Sequence, residues 1–106
     1  MKTYQIVFGL NPKEGLDLHK VLSDVEKTLK ENSRDSVSIT RNCWVIRTDR
    51  QGPSIRDEIT RTIKRHGTDG NILVTDIELT EWCAHCDDKP ENRATTTWLK
   101  KNVSYQ

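Results

Sequence analysis

The stretch Cys43–His66, CWVIRTDRQGPSIRDEITRTIKRH, decides the fold of this chain. It opens with alternating residues that place Trp44 and Ile46 on one side, a period of two that is typical of a strand. A break at Gly52-Pro53 follows, and isoleucines then recur every four residues, as on one face of a helix. The stretch therefore predicts a strand that leads directly into an amphipathic helix.

The residues before this stretch predict a strand, a helix and another strand. Thr3–Leu10 alternates between apolar and polar residues, and Leu16–Glu31 has helical spacing, with Asp17 as its cap or first-turn acid. Ser36–Thr40 is a short strand joined to the next by a hairpin turn. Its two β-branched apolar residues, Val37 and Ile39, are expected to point inward.

The residues after Thr48 complete the pattern. The second helix is expected to start at Ser54, with Asp57 three residues later as in a capping box, and to stop at Gly67. The range 71–80 then reads as the last long strand. Its Ile72 and Val74 are expected on one face, and Leu73, Ile77 and Leu79 on the other.

This order predicts an α+β fold of the ferredoxin-like β-α-β-β-α-β type, in which both helices cover one sheet face in a two-layer sandwich. A chain of 106 residues is one domain. Residues 1–80 form the expected core. Residues 81–106 form a C-terminal extension with a Cys-x-His-Cys loop and a short helix that packs on the core or on a dimer mate.

The composition is charge-rich and balanced. Charged residues make up 31% and apolar residues 33%, and the net charge of +1 offers no global attraction to nucleic acid or membrane. No apolar run is long enough for a membrane span, and no signal-peptide pattern opens the chain, so we expect a cytoplasmic protein. Three cysteines do not suggest a disulfide framework.

Five stretches carry a resemblance to a known family: Thr3–Val7, Cys43–Asp49, Ser54–Ile59, Ile72–Glu78 and Trp98–Lys101. They resemble SinR-like small proteins, which are relatives of the ferredoxin-like CRISPR-associated integration subunit, and the resemblance covers residues 3–101. It implies a homodimer formed through the sheets and nucleic acid as the ligand. A half-apolar outer sheet face, with Val7 and Val45 beside Arg47, suits a dimer interface or a ligand platform.

The chain differs from that family at the position where the family's nucleases have a catalytic residue. The resemblance implies an aspartate at the end of the first strand, where it would hold a divalent metal. Here the stretch Phe8–Asn11 contains no acid, and the nearby Glu14 and Asp17 are better explained by the loop and the helix cap. We therefore expect binding rather than metal-dependent cleavage.

Basic residues concentrate in the middle of the sequence, where they are candidates for clamping phosphates. The alternative is a solvated surface on which they pair with Asp49, Asp57 and Glu58. The candidates for nucleic-acid binding are Arg41, Arg47, Arg50, Arg61, Lys64 and Arg65, with Arg56 in the same group.

The motif Trp82-Cys83-Ala84-His85-Cys86 has two chemical interpretations. It resembles the thioredoxin signature, but the 20 residues after it are too few for the rest of that fold. Cys83, His85 and Cys86 also have the spacing of zinc ligands, although a lone C-x-x-C is a weak signal. The simplest expectation is reduced thiols in a loop, and a zinc or redox protein stays an alternative.

Tyr4, Phe8 and Trp44 raise one more alternative, the RNA-recognition motif, whose exposed aromatics stack on bases. Their alternation with Ile6 and Leu10 favours core positions instead. We expect a non-catalytic protein, and the resemblance to SinR-like proteins implies that it binds nucleic acid or a nucleoprotein complex. The main alternative is a phage or mobile-element modulator, such as an anti-CRISPR-type inhibitor, that docks on a defence complex.

Overall fold

A computed structural model describes residues 1–11, 13–78, 97–99, 101 and 102. Four strands and two helices follow one another in the order strand, helix, strand, strand, helix, strand. They are β1 (Lys2–Leu10), α1 (Leu18–Glu31), β2 (Asp35–Thr40), β3 (Cys43–Thr48), α2 (Gly52–Lys64) and β4 (Gly70–Asp76).

The four strands form one antiparallel sheet in the order β2-β3-β1-β4. On central β1, Ile6 lies opposite Trp44 of β3 on one side and Val74 of β4 on the other. Cross-strand partners share a face, so these residues together form the face that both helices cover. The molecule is a two-layer α+β structure, as the sequence predicted.

The main core lies between the helices and this helix face of the sheet. It takes Tyr4, Ile6, Phe8, Trp44 and Ile46 from the strands, and it takes Val21, Val25, Leu29, Ile55, Ile59 and Ile63 from the helices. The predicted alternation of β1 and β3 is therefore confirmed. No helix among the described residues is long and apolar enough to cross a membrane.

Helix α1 begins at Leu18, two residues later than predicted. Asp17 is its N-cap in an extended conformation, and its Oδ1 accepts a hydrogen bond from the backbone N–H of Lys20 at 3.3 Å. A capping residue stands outside the helix whose N–H groups it satisfies, so the cap fixes the start. Asp17 is thus the cap that the sequence indicated.

The predicted start of α2 at Ser54 is wrong. The helix begins at Gly52, with Gln51 as N-cap and no side-chain capping bond, so the capping box with Asp57 does not form. Proline suits the first helical turn because the N–H it lacks would have no partner there, so Pro53 lies inside the first turn instead of preceding the helix. Asp57 pairs with its neighbour Arg56.

Two strand predictions also need correction. Val37 lies opposite Val45, on the face away from the helices, and Ile39 in the adjacent bulge is 40% exposed, so neither points into the main core. Strand β4 ends at Asp76, whose carboxylate accepts from the backbone N–H of Glu78 in a turn. The predicted faces of Ile72, Val74 and Leu73 are confirmed, while Leu79 lies outside the described residues.

Candidate nucleic-acid interface

The six candidate phosphate-binding residues lie in four separate places. Arg41 is in the turn between β2 and β3, and Arg50 follows β3. Arg47 belongs to the outer face, which is the sheet face opposite the helices and includes Thr3, Gln5, Val7 and Val45. The other three lie at the C-terminal end of α2, in the helical layer: Arg61 and Lys64 are in the helix, and Arg65 is its C-cap. The sheet therefore separates Arg47 from the α2 residues, and one phosphate cannot contact both.

Arg61, Lys64 and Arg65 form a basic cluster on α2. Residues three and four apart are neighbours on a helix surface, and with Glu58 they line one depression of about 380 Å³. Arg61 pairs with Glu58, and Nη2 of Arg65 donates to Oγ1 of Thr62 at 3.2 Å. Three cations thus meet one carboxylate here, which leaves the depression positive.

Arg41 and Arg50 lie against side chains other than carboxylates. Nη1 of Arg41 lies 3.1 Å from Nδ1 of His19, and Nη1 of Arg50 donates to Oδ1 of Asn32. Of the three acids expected to pair with the basic group, two do so: Asp57 pairs with Arg56, and Glu58 pairs with Arg61. Asp49 pairs with Arg34, which lies outside that group.

A C-terminal segment, whose described residues 97–99, 101 and 102 are helical, lies on the outer face. Leu99 packs with Val45 and Ile77 in a second apolar cluster, with Trp98 and Val37 at its edge. Leu99 and Val45 are 3% and 4% exposed. Val45 therefore has the orientation that the sequence indicated, but the chain's own segment covers it.

The uncovered part of the outer face is apolar. Cys43, Val7 and Leu73 are direct cross-strand neighbours on β3, β1 and β4, and we call them the exposed strip. Leu73 is 63% exposed and Val7 is 39% exposed. Alternation placed both on this face, but exposure depends on what the rest of the chain covers, which no local pattern reports.

The aromatic residues are not a base-stacking platform. Tyr4, Phe8 and Trp44 point towards the helices and are 5%, 3% and 6% exposed. Nε1 of Trp44 donates to the backbone carbonyl of Arg41 at 3.3 Å. Bases stack on aromatic rings that are open to solvent, so these three rings cannot act as in an RNA-recognition motif.

The proposed zinc ligands Cys83, His85 and Cys86 lie outside the described residues. Cys43 is half-buried on the outer face, where Nε2 of Gln5 lies 3.7 Å from its Sγ. Within the described ranges, no three His, Cys, Asp or Glu side chains are grouped as metal ligands.

Comparison of the chain with protein-family models, with curated proteins and with solved structures found no match.

Proposed function

We propose that this protein is a non-catalytic member of the ferredoxin-like class that binds nucleic-acid phosphates through the basic cluster of Arg61, Lys64 and Arg65. The observation that carries the proposal is the convergence of three cations on one depression of α2. The strand order β2-β3-β1-β4 and the resemblance to SinR-like proteins support the class and the ligand.

The cluster has the chemistry for a phosphate. Guanidinium groups donate in a fixed fork to phosphate oxygens, and a lysine ammonium adds a compact charge. A phosphate would compete with Glu58 for Arg61, and that contact is an exposed pair of the kind worth at most about 1 kcal/mol. Rearrangement on binding is therefore inexpensive.

The test is the salt dependence of affinity for a short duplex, compared between two triple variants. Three phosphate contacts predict a slope of log affinity against log salt of about −2.7. The triple variant Arg61→Ala, Lys64→Ala, Arg65→Ala should bring this slope close to zero. The control Lys27→Ala, Lys30→Ala, Arg34→Ala removes the same charge elsewhere and should keep most of it. Equal losses in both variants would mean that only overall charge matters.

We also propose that the protein is a homodimer that forms through the exposed strip. The strand residues around it are uncharged, namely Gln5, Gly9, Asn71 and Thr75 on the same face. Two copies of this surface can therefore meet without burying an unpaired charge. Apolar exposure of this kind, as at Leu73, is a common mark of an interface.

Leu73→Glu tests the homodimer, because it places a charge in the strip without touching the core. Multi-angle light scattering should show a dimer for the wild type and a monomer for Leu73→Glu. Leu18→Glu is the matched control, since Leu18 is also exposed, at 48%, but lies at the start of α1. A dimer that survives Leu73→Glu would exclude the strip as the interface.

A modulator that docks on a protein of a defence complex is the second candidate. The exposed strip favours it as well, because an uncharged apolar surface suits another protein's apolar patch. A wild type that is monomeric at every concentration and lacks salt-dependent duplex binding would favour this function over the first.

A zinc protein is the third candidate, through Cys83, His85 and Cys86. Elemental analysis of untagged protein decides it, with Cys83→Ser, Cys86→Ser as the comparison. One zinc per chain in the wild type, lost in the variant, supports the site. Zinc-free wild type with all three cysteines titrating as free thiols removes it.

A further inference from the structure

The described residues of the C-terminal segment make one hydrogen bond to the outer face. Nη1 of Arg47 donates to Oδ1 of Asn102 at 2.8 Å, which is the one hydrogen bond recorded between the described parts of segment and sheet. Nδ2 of Asn102 returns to the carbonyl of Trp98, within the segment itself. Among the described residues, the rest of the attachment is the apolar contact of Leu99 and Trp98 with the outer face.

The indole N–H of Trp98 would be better hydrogen-bonded in water than it is in the packed segment. Nε1 of Trp98 is buried and has no acceptor among the described residues. A buried donor without a partner loses the hydrogen bond that water would supply. This loss lowers the free energy of lifting the segment off the sheet.

The covered and uncovered parts of the outer face are continuous. Val45 and Cys43 are alternate residues of β3, and they lie opposite Gln5 and Val7 of β1. The C-terminal segment covers Val45, while the exposed strip begins at Cys43. Lifting the segment would extend the exposed strip by Val45 and Ile77, and it would free the guanidinium of Arg47.

We propose that the C-terminal segment is an autoinhibitory cover on the outer face. In the closed state the segment covers Val45 and Ile77, next to the exposed strip, and the open state offers the enlarged surface to a second copy. This inference rests on the proposed homodimer. The cover also opens as a local unit, because its apolar cluster is separate from the main core.

Native-state hydrogen exchange of the full chain tests the opening. The indole N–H of Trp98 should exchange at least about tenfold faster than the backbone N–H groups of Ile6 and Ile46. Leu99→Ala should raise the exchange rate of the Trp98 indole N–H by a further factor of about ten, and it should leave the exchange rates of the Ile6 and Ile46 backbone N–H groups unchanged. Asn102→Ala removes the bond from Arg47 and the bond to the carbonyl of Trp98, leaves the apolar contact of Leu99 in place, and should act in the same direction more weakly.

Leu29→Ala is the matched control, because Leu29 is fully buried in the main core. Leu29→Ala should raise the exchange rates of the Ile6 and Ile46 backbone N–H groups, because it makes global unfolding more frequent. Exchange of Trp98 at the same rate as Ile6 in every variant would show that the segment opens only with the whole domain, and it would overturn the proposal.

Sedimentation equilibrium tests the inhibition. Leu99→Ala should lower the dimer dissociation constant by about a hundredfold, because both copies must open and the open population of each rises by about tenfold. A wild-type dimer that Leu99→Ala weakens would overturn the cover and leave the homodimer standing. If the wild type and Leu99→Ala are both monomeric, the homodimer and the inhibition are both wrong. The hydrogen-exchange rates would still show whether the C-terminal segment opens separately from the domain.

Discussion

Arg47 and Asn102 are joined across the outer face, where Nη1 of the arginine donates to the amide Oδ1 at 2.8 Å. They are 55 residues apart in sequence. Arg47 therefore binds the C-terminal segment. It lies on the opposite side of the sheet from the basic cluster.

Replacing Arg47 should therefore affect stability and not phosphate binding. We expect Arg47→Gln to leave the salt slope of duplex affinity at its wild-type value, because the residue cannot reach a phosphate bound on α2. Loss of the hydrogen bond should lower the free energy of unfolding by about 1 kcal/mol in urea titration. If Arg47→Gln instead makes the slope of log affinity against log salt shallower by about 0.9, which is the value for one phosphate contact, Arg47 does bind phosphate.

Gly70 and Gly9 are predicted to differ sharply in their tolerance of a methyl group. A Cβ on Gly70 would lie 2.3 Å from the backbone oxygen of Gly9, whereas a Cβ on Gly9 meets nothing within 4 Å. Gly70→Ala should push β4 away from β1 and cost about 1–3 kcal/mol, and Gly9→Ala should be close to neutral. Thermal melting of the two variants measures this difference, and equal melting temperatures would contradict the pairing of Leu10 with Gly70.

Thr28 and Thr62 should behave as a coupled pair. Their Oγ1 atoms lie 2.7 Å apart in the buried contact between α1 and α2, and each also approaches the backbone carbonyl four residues earlier in its helix. Thr28→Val or Thr62→Val should each cost about 1 kcal/mol. The double variant should cost less than the sum of the two single variants, because either single variant already removes the hydrogen bond between the two hydroxyls. Additive losses in a double-mutant cycle would show that the two hydroxyls do not interact.

Ile59→Asp should unfold the domain. Ile59 is completely buried among the helix residues that face the sheet, and an unpaired carboxylate there costs several kcal/mol, of the order of a small domain's whole stability. Arg56→Asp is the control on the same helix, since its side chain is 55% exposed. Circular dichroism should show a folded control and an unfolded Ile59→Asp, and a cooperative melt in both would place Ile59 outside the core.

Hydrophobic periodicity alone determined the elements and the helix face of the sheet. Trp44 and Ile46 alternate, and the isoleucines of α2 recur at helical spacing, since local geometry dictates which side chains share a face. The same reasoning misplaced Val37 and Ile39, because a bulge and the register with β3 decide their orientation. It also started α2 too late, because Pro53 fits inside a first turn as well as before one.

Only the tertiary structure decided which surfaces are available for function. Six basic residues close in sequence are divided by the sheet, which leaves three of them together on α2. Val45 and Leu73 follow the same alternation, yet one is covered by Leu99 and the other is exposed. Exposure depends on contacts between residues far apart in the chain, so the sequence determined the faces and the packing of the C-terminal segment determined which part of the outer face stays open.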